Sequence, residues 1–310
     1  MTPIAKIFSL LALLLVVASV HAQERTLAER LGYPRDAKLI IVHADDLGMA
    51  HSVNIATVKA FESGLVTSGS IMMPCPWVPE IAAYAHANPQ ADLGLHLTLT
   101  SEWTQLRWGP VSSKDRVASL LDPNGYFRLT ESEAAKYADP KEVELEIRAQ
   151  IERAKSLGIV PTHLDSHMGT LYQNKALFEV FLRVAREYKL PVRVAKAWFT
   201  RTDFLPEIIK PDDVFIDRVL DINPGVEPQD WARFYSDALR KLEPGVTEIV
   251  IHVAYDDAEM RGATSDHPAW GAAWRQRDFD FFTSDAFRQV LKENNIKLIT
   301  WREIGKLIAK

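Results

Sequence analysis

Short apolar runs that end on a polar residue, each followed by a helical pattern, constrain this chain more than any other feature. Lys38-Leu-Ile-Ile-Val-His43 is a buried-strand pattern. Strand-like runs recur at Val66 to Met73, Asp92 to Leu99, Pro161 to Asp165, Asp213 to Val219, Thr247 to Val253 and Ile296 to Thr300. Helical patterns lie between and after them, at Val53 to Glu62, Ile81 to Ala87, Lys141 to Leu157, Ala176 to Tyr188, Trp231 to Leu242, Ser284 to Asn294 and Arg302 to Ala309. The third is the clearest: Val143, Ile147, Ile151 and Ala154 share one face, and Gly158 stops it. Such alternation predicts a parallel sheet covered by helices. About seven units fit a distorted (β/α) barrel of the TIM type, with a doubly wound open sheet as the second choice. No glycine-rich phosphate loop follows the first strand, which argues against a dinucleotide fold.

The first 22 residues stand outside this pattern. Lys6 precedes an apolar stretch from Ile7 to Val20, and Val20-His21-Ala22 presents small residues at the cleavage positions of a secretory signal peptide. Export is therefore expected, to a periplasm or the exterior, with one domain over 23–310 and no membrane span in the mature chain. Across the 310 residues, 36 Lys and Arg stand against 41 Asp and Glu, for a net charge of −5. No basic block stands out, so nucleic acid is a poor partner. Cys75, the single cysteine, excludes an internal disulfide and a four-cysteine zinc site. Two stretches, Ser101 to Pro140 and Tyr255 to Asp280, read as long irregular loops of the kind that form lids or substrate walls.

Polar chemistry collects at the predicted strand ends, where barrels build their active sites. His43-Ala-Asp45-Asp46-Leu-Gly48 puts two carboxylates at the end of the first strand. On such an end, neighbours point in different directions, so one could bind metal while the other takes a proton; an exposed turn would explain them equally well. His96 alternates with leucines in Gly94-Leu-His96-Leu-Thr98-Leu, a pattern that by itself fits a core histidine better than a ligand. Pro161-Thr-His163-Leu-Asp165-Ser-His167 places three polar side chains on one face, a set that suits zinc and related ions. Ile249-Val-Ile-His252 delivers another histidine. Pro191-Val-Arg193 ends on an arginine fit to orient a catalytic Asp or to form an ordinary ion pair. Taken together, one Asp and two His give three ligands with open positions for water and substrate, and a further polar strand end supplies acid/base chemistry.

In these segments the sequence resembles the YdjC/ChbG-type carbohydrate deacetylases, a group that includes the HpnK proteins. Ala44-Asp45-Asp46-Leu47-Gly48, Gly64-Leu-Val-Thr67-Ser68, the two histidine segments, Pro191-Val-Arg193 and the strand ending at His252 follow in the family's order over nearly all of the mature chain. The resemblance implies a distorted barrel related to polysaccharide deacetylases. It implies Asp46, His96 and His167 as ligands of one divalent ion (zinc or magnesium), Asp45 as general base and His252 as general acid, with His163 and Asp165 in support. The implied reaction is hydrolysis of an N-acetyl group on an amino sugar or oligosaccharide. Leu47 stands where Phe is usual in the family, Met168-Gly169-Thr170 follows His167, and Val253 stands where the family often has Pro, so no member's substrate carries over directly. An O-acetyl esterase or non-sugar amidase on the same site, and a non-catalytic sugar-binding barrel, are the rival expectations. Oligomeric state stays open, with a homodimer among the options. Trp103, Trp108, Trp270 and Trp274 fall in the two long loops, either to stack on sugar rings or to anchor the loops; Asp256, Asp257 and Arg261 stand nearby as candidate hydroxyl contacts.

Overall fold

The computed structural model describes residues 25–199, 203–222 and 225–308. The expected export signal lies outside the described residues. Along the chain the elements are α1 (Leu27–Arg30), β1 (Lys38–Leu47), α2 (His51–Glu62), β2 (Ser68–Ile71), α3 (Val78–Ala87), β3 (Leu93–Leu97), α4 (Glu131–Tyr137), α5 (Pro140–Ser156), β4 (Leu164–Ser166), α6 (Lys175–Tyr188), α7 (Leu205–Ile208), β5 (Arg218–Leu220), α8 (Trp231–Arg240), β6 (Gly245–Ile251), α9 (Ala258–Ala263), α10 (Ala272–Phe282), α11 (Asp285–Glu293), β7 (Ile296–Leu298) and α12 (Trp301–Gly305).

All strand pairings are parallel, in the order β4-β3-β2-β1-β6-β5, with β7 beside the first residues of β1. Single bridges from Leu164 to Val192 and from Ala195 to Ile216 carry the sheet round from β4 towards β5. The circuit therefore closes, and the fold is the distorted barrel of about seven strands rather than an open doubly wound sheet. The distortion is local: between β4 and β5 the wall is held by isolated bridges instead of continuous ladders.

β1 organises the rest. Its residues from Lys38 to Ala44 pair one for one with Gly245 to Ile251 of β6, and nine of its ten residues are buried. An unbroken apolar run is what a strand needs when helices cover one face and the barrel interior lies under the other. Ile40, Val42 and Ala44 pack outward with Trp231 and Tyr235 of α8 and Phe282 of α10. A second cluster joins β3 to α3, α5 and α6 through Leu95, Ile81, Ile147 and Phe181.

The stretches expected to be irregular contain α4, α9 and α10. Their helical period was hidden because the buried positions are few or charged. α4 buries only Ala134, and α9 only Met260. α10 buries Arg275 and Asp278 alongside Trp274, Phe281 and Phe282. The remaining loop from Ser101 to Leu129 is pinned by a polar stripe on α5. Gln150 accepts from the Thr98 N–H and donates to the Thr98 carbonyl, at 3.0 and 2.8 Å. Glu146 accepts the Val111 and Ser112 amides, each at 2.9 Å.

Gly94 shows how closely the interior is filled. A Cβ added there would lie 2.3 Å from the His163 ring, and that ring is stacked on Trp301 with no room to retreat. Gly94→Ala should cost about 1–3 kcal/mol, as overpacking does. Thermal melting should show a midpoint lowered by several degrees; an unchanged midpoint would mean that the His163–Trp301 stack yields freely.

Candidate active site

A cavity of about 870 Å³ opens at the carboxyl ends of the strands, and Asp45, Asp46, His96, His167, Arg193 and His252 all line it. Asp45 and Asp46 are adjacent in sequence and would point to opposite faces of a regular strand. Here the pairing of β1 with β2 breaks register between Ala44 and Leu47. Asp46 takes a left-handed backbone, φ 70°, a conformation that Asp tolerates better than most residues. The irregularity turns both carboxylates into the same cavity.

Asp46 Oδ1 lies 3.4 Å from His96 Nε2 and 3.4 Å from His167 Nδ1. It is buried and makes no hydrogen bond among the described residues. Four ligands held about 2.1 Å from a tetrahedral zinc stand about 3.4 Å from one another. The three side chains therefore fit a divalent ion, and an ion would satisfy the orphaned oxygen. His43, His163 and Asp165 form a second group with ligand atoms close together. Both nitrogens of His43 are already engaged by Ser68 and Ser70, at 3.0 Å each, and the Arg193 guanidinium disfavours a cation there.

Each histidine of the first set is backed by a carboxylate on its other nitrogen. His96 Nδ1 is 2.6 Å from Asp165 Oδ1, and His167 Nε2 is 2.9 Å from Glu102 Oε2. Such contacts fix the tautomer and raise the basicity of the ligating nitrogen. Arg275, from α10, donates to Asp46 Oδ2 at 2.8 Å and so holds the other carboxylate oxygen.

Arg193 grips Asp45 with both terminal nitrogens, at 3.0 and 2.6 Å. It also lies 2.7 Å from Asp165 and 3.1 Å from Glu248. Burial opposes ionisation of Asp45, but Arg193, His96 and His43 outweigh it and hold the carboxyl well below the usual carboxylate range. His43 in turn is pushed up to about 9: burial and Arg193 act against its charge, and Glu248, Asp165 and Asp45 overcome them.

His252 follows β6, with Nε2 3.9 Å from Asp45 Oδ2. Burial pushes its pKa down to about 4, despite the nearby Asp46 and Asp45. At neutral pH the ring is thus an uncharged imidazole, packed against Trp274. Its backbone N–H donates to Asp278 Oδ2 at 2.9 Å. Asp278 Oδ1 accepts from the Trp231 indole and the Tyr235 hydroxyl, at 3.0 and 3.1 Å.

The sequence picked out Asp45, Asp46, His96, His167, Arg193 and His252, and all six line the cavity. His163, on the same predicted face, instead packs between His43 and Trp301, away from the cavity. Trp103, Trp108 and Trp274 are 1%, 3% and 2% exposed, so they anchor the walls; Trp270, at 38%, is the indole open to a ligand. Asp257 caps α9 by accepting from the Met260 N–H, and Arg261 pairs with Asp256. None of these three lines the cavity. Sequence reading missed Glu102, Arg275, Asp278 and Glu248. Glu248 had a signal, since Glu248, Val250 and His252 alternate along β6; the other three lie in stretches read as irregular.

The fold and site together define a (β/α) barrel whose strand ends carry a two-histidine, one-carboxylate centre beside a buried Asp–Arg pair and a neutral histidine. The chain belongs to the YdjC-like protein family, whose model matches residues 39–293. A carbohydrate deacetylase of Thermus thermophilus is 33% identical over 292 residues, covering 91% of this chain and 99% of that protein. One from Thermoanaerobacter pseudethanolicus is 31% identical over 264 residues, covering 85% and 98%. Among solved structures, one from Enterococcus faecalis V583 aligns with a TM-score of 0.74 and 28% identity, over 86% of this chain and 99% of that one. That protein carries the name cellobiose-phosphate cleavage protein.

Two predictions follow from these contacts. Glu102→Gln should weaken zinc binding about 10–100-fold in a calorimetric titration, the usual loss when such a backing carboxylate goes; unchanged affinity would show that Glu102 does not set the His167 tautomer. Asp278 concerns stability. Burial pushes its pKa up to about 7, against its hydrogen bonds from His252, Trp231 and Tyr235. The folded protein therefore holds this proton more tightly than the unfolded chain, and the associated stability is lost as pH rises from about 4 to about 7. Asp278→Asn should remove that part of the slope in denaturant titrations across this range. Parallel slopes for the two proteins would refute it.

Proposed function

We propose that this chain is a metal-dependent hydrolase that removes N-acetyl groups from an amino sugar or oligosaccharide. The observation that carries the reading is the placement of Asp45 and His252 in one cavity with Asp46, His96 and His167. Relatives at about a third identity bear the name carbohydrate deacetylase, which supports an acetylated sugar as substrate. Asp46, His96 and His167 would hold the ion, and their donor set favours zinc or a similar metal, with magnesium as the alternative. When bound, such an ion acts as a Lewis acid and lowers the pKa of water towards neutral.

The chain's own residues then divide the proton work. Asp45 stays ionised at neutral pH, and Arg193 fixes its two oxygens in space. It takes a proton from the attacking water as the oxygen bonds to the acetyl carbon. A carboxylate so acidic is a weak base and yields its proton readily. His252, neutral at rest and 3.9 Å from Asp45, is suited to take up that proton and pass it to the departing nitrogen. An imidazolium of such low pKa is a strong acid, as an amine leaving group requires. The C–N bond breaks, and acetate and the free amine leave. An intact set of Asp45, His252 and the three candidate ligands weighs against a purely sugar-binding role.

Acetate release from a panel of N-acetylated sugars, with and without a chelator, tests the reading. Release should depend on the metal. Asp45→Asn should lower kcat by about 10²–10⁴-fold, the usual contribution of a positioned base, while metal content stays near that of the parent. Faster turnover of ester than of amide substrates would favour the esterase alternative. Near-normal turnover by Asp45→Asn would remove Asp45 as the base.

A further inference from the structure

The charge of the cavity has a bearing on which sugars it accepts. Six carboxylates line it, from Asp45, Asp46, Glu102, Glu131, Asp221 and Asp266, against two guanidiniums, from Arg193 and Arg275. Both guanidiniums are buried and already bound, Arg193 to Asp45 and Arg275 to Asp46. No other Lys or Arg lines the cavity among the described residues. A divalent ion would still leave the cavity two charges negative.

The mouth carries much of this excess. Glu131 sits in the first turn of α4, and Asp221 follows the last residue of β5. Neither pairs with a cation among the described residues. Asp266 is held in place by the Thr104 N–H and hydroxyl, at 2.8 and 2.6 Å; His267 Nε2 stands 4.0 Å from the same oxygen but is directed to the Glu102 carbonyl at 2.9 Å. An anionic group entering here meets carboxylates, and no Lys or Arg among the described lining residues is free to receive it, an arrangement that rejects partners by like-charge repulsion.

Between the carboxylates the surface is apolar. Leu129, Met168 and Trp270 line the cavity and are each 38% exposed. Trp270 lies beside His252, with ring centroids 6.2 Å apart. An exposed indole next to the group assigned to the leaving nitrogen offers a flat platform for an uncharged pyranose face, and about 870 Å³ leaves room for more than one ring.

We propose that this cavity selects amino-sugar substrates free of phosphate and carboxylate groups, and accepts those that already carry a free ammonium, because its rim is acidic and both guanidiniums among its described lining residues are spent on Asp45 and Asp46. The inference rests on the N-deacetylase reading for its chemistry and adds the charge class of the substrate. It implies that the reaction supplying the substrate is a glycoside cleavage or a transport step that adds no phosphate.

Three probes test it with the metal-loaded protein: an N-acetylglucosamine disaccharide, its monophosphate ester, and its mono-deacetylated form. Acetate release should give the phosphate ester a kcat/KM at least about tenfold below that of the neutral sugar, the size expected from one unscreened like-charge contact. The mono-deacetylated form should match or exceed the neutral sugar. Raising the ionic strength should narrow the gap, as should Glu131→Gln combined with Asp221→Asn. A phosphate ester turned over as well as the neutral sugar would overturn the proposal. If no probe releases acetate, the deacetylase reading fails; the dissociation constants, measured by quenching of tryptophan fluorescence, then decide the charge preference by the same order. Absence of binding by all three would overturn the proposal as well.

Discussion

One buried guanidinium sets the terms for everything around it. Arg193 sits within ion-pair distance of Asp45, Asp165 and Glu248, and all four side chains are nearly inaccessible to solvent. Taking such ions out of water costs several kcal/mol each, and well-packed apolar residues of the same volume often serve stability as well or better. Stability alone is therefore a poor explanation for the cluster. What it provides is orientation: Asp45 is bound through both oxygens, and Asp165 is held where it can engage His96. Arg193 comes from the weakest part of the barrel wall, between the single bridges at Val192 and Ala195. The gap in the regular ladder is where a long side chain enters the interior.

The strand framework was legible because burial on both faces leaves a plain mark: β1 is an apolar run up to its polar end, and β6 is apolar apart from Thr247 and Glu248. His252 stood out as a polar residue ending an apolar run, His96 as one set among leucines, and His167 through its spacing from His163 and Asp165. The signal failed where the buried face of a helix is itself polar. α10 presents Arg275 and Asp278 inward, so its apolar period is broken at the two positions that matter to the site. Glu102 sits in a loop without a period of any kind, and only the fold brings it to His167. The tryptophans show the opposite difficulty. An indole in a loop looks the same in sequence whether it faces solvent or the core, and three of the four turned inward.

The two long wall segments are joined across the cavity. Thr104 binds Asp266, and His267 Nε2 donates to the Glu102 carbonyl at 2.9 Å. Glu102 thus has two duties. Its side chain steadies His167, and its backbone fastens the loop carrying Trp270. The placement of His167 and the shape of the wall at Trp270 therefore share one residue, although the first depends on the strands and the second on the loops.

The left-handed turn at Asp46 has an evolutionary consequence. Two demands fall on this position at once: a backbone shape that few side chains tolerate, and a carboxylate that His96, His167 and Arg275 all face. Asparagine is the near neighbour that meets the first without the second. A single codon change could therefore remove the charge and keep the turn, but it would leave the Arg275 guanidinium, buried against Asp46 Oδ2, without its counter-charge. For a lineage built on this scaffold, loss of that carboxylate is thus a two-residue step, matched at Arg275, although the backbone itself would permit it with one.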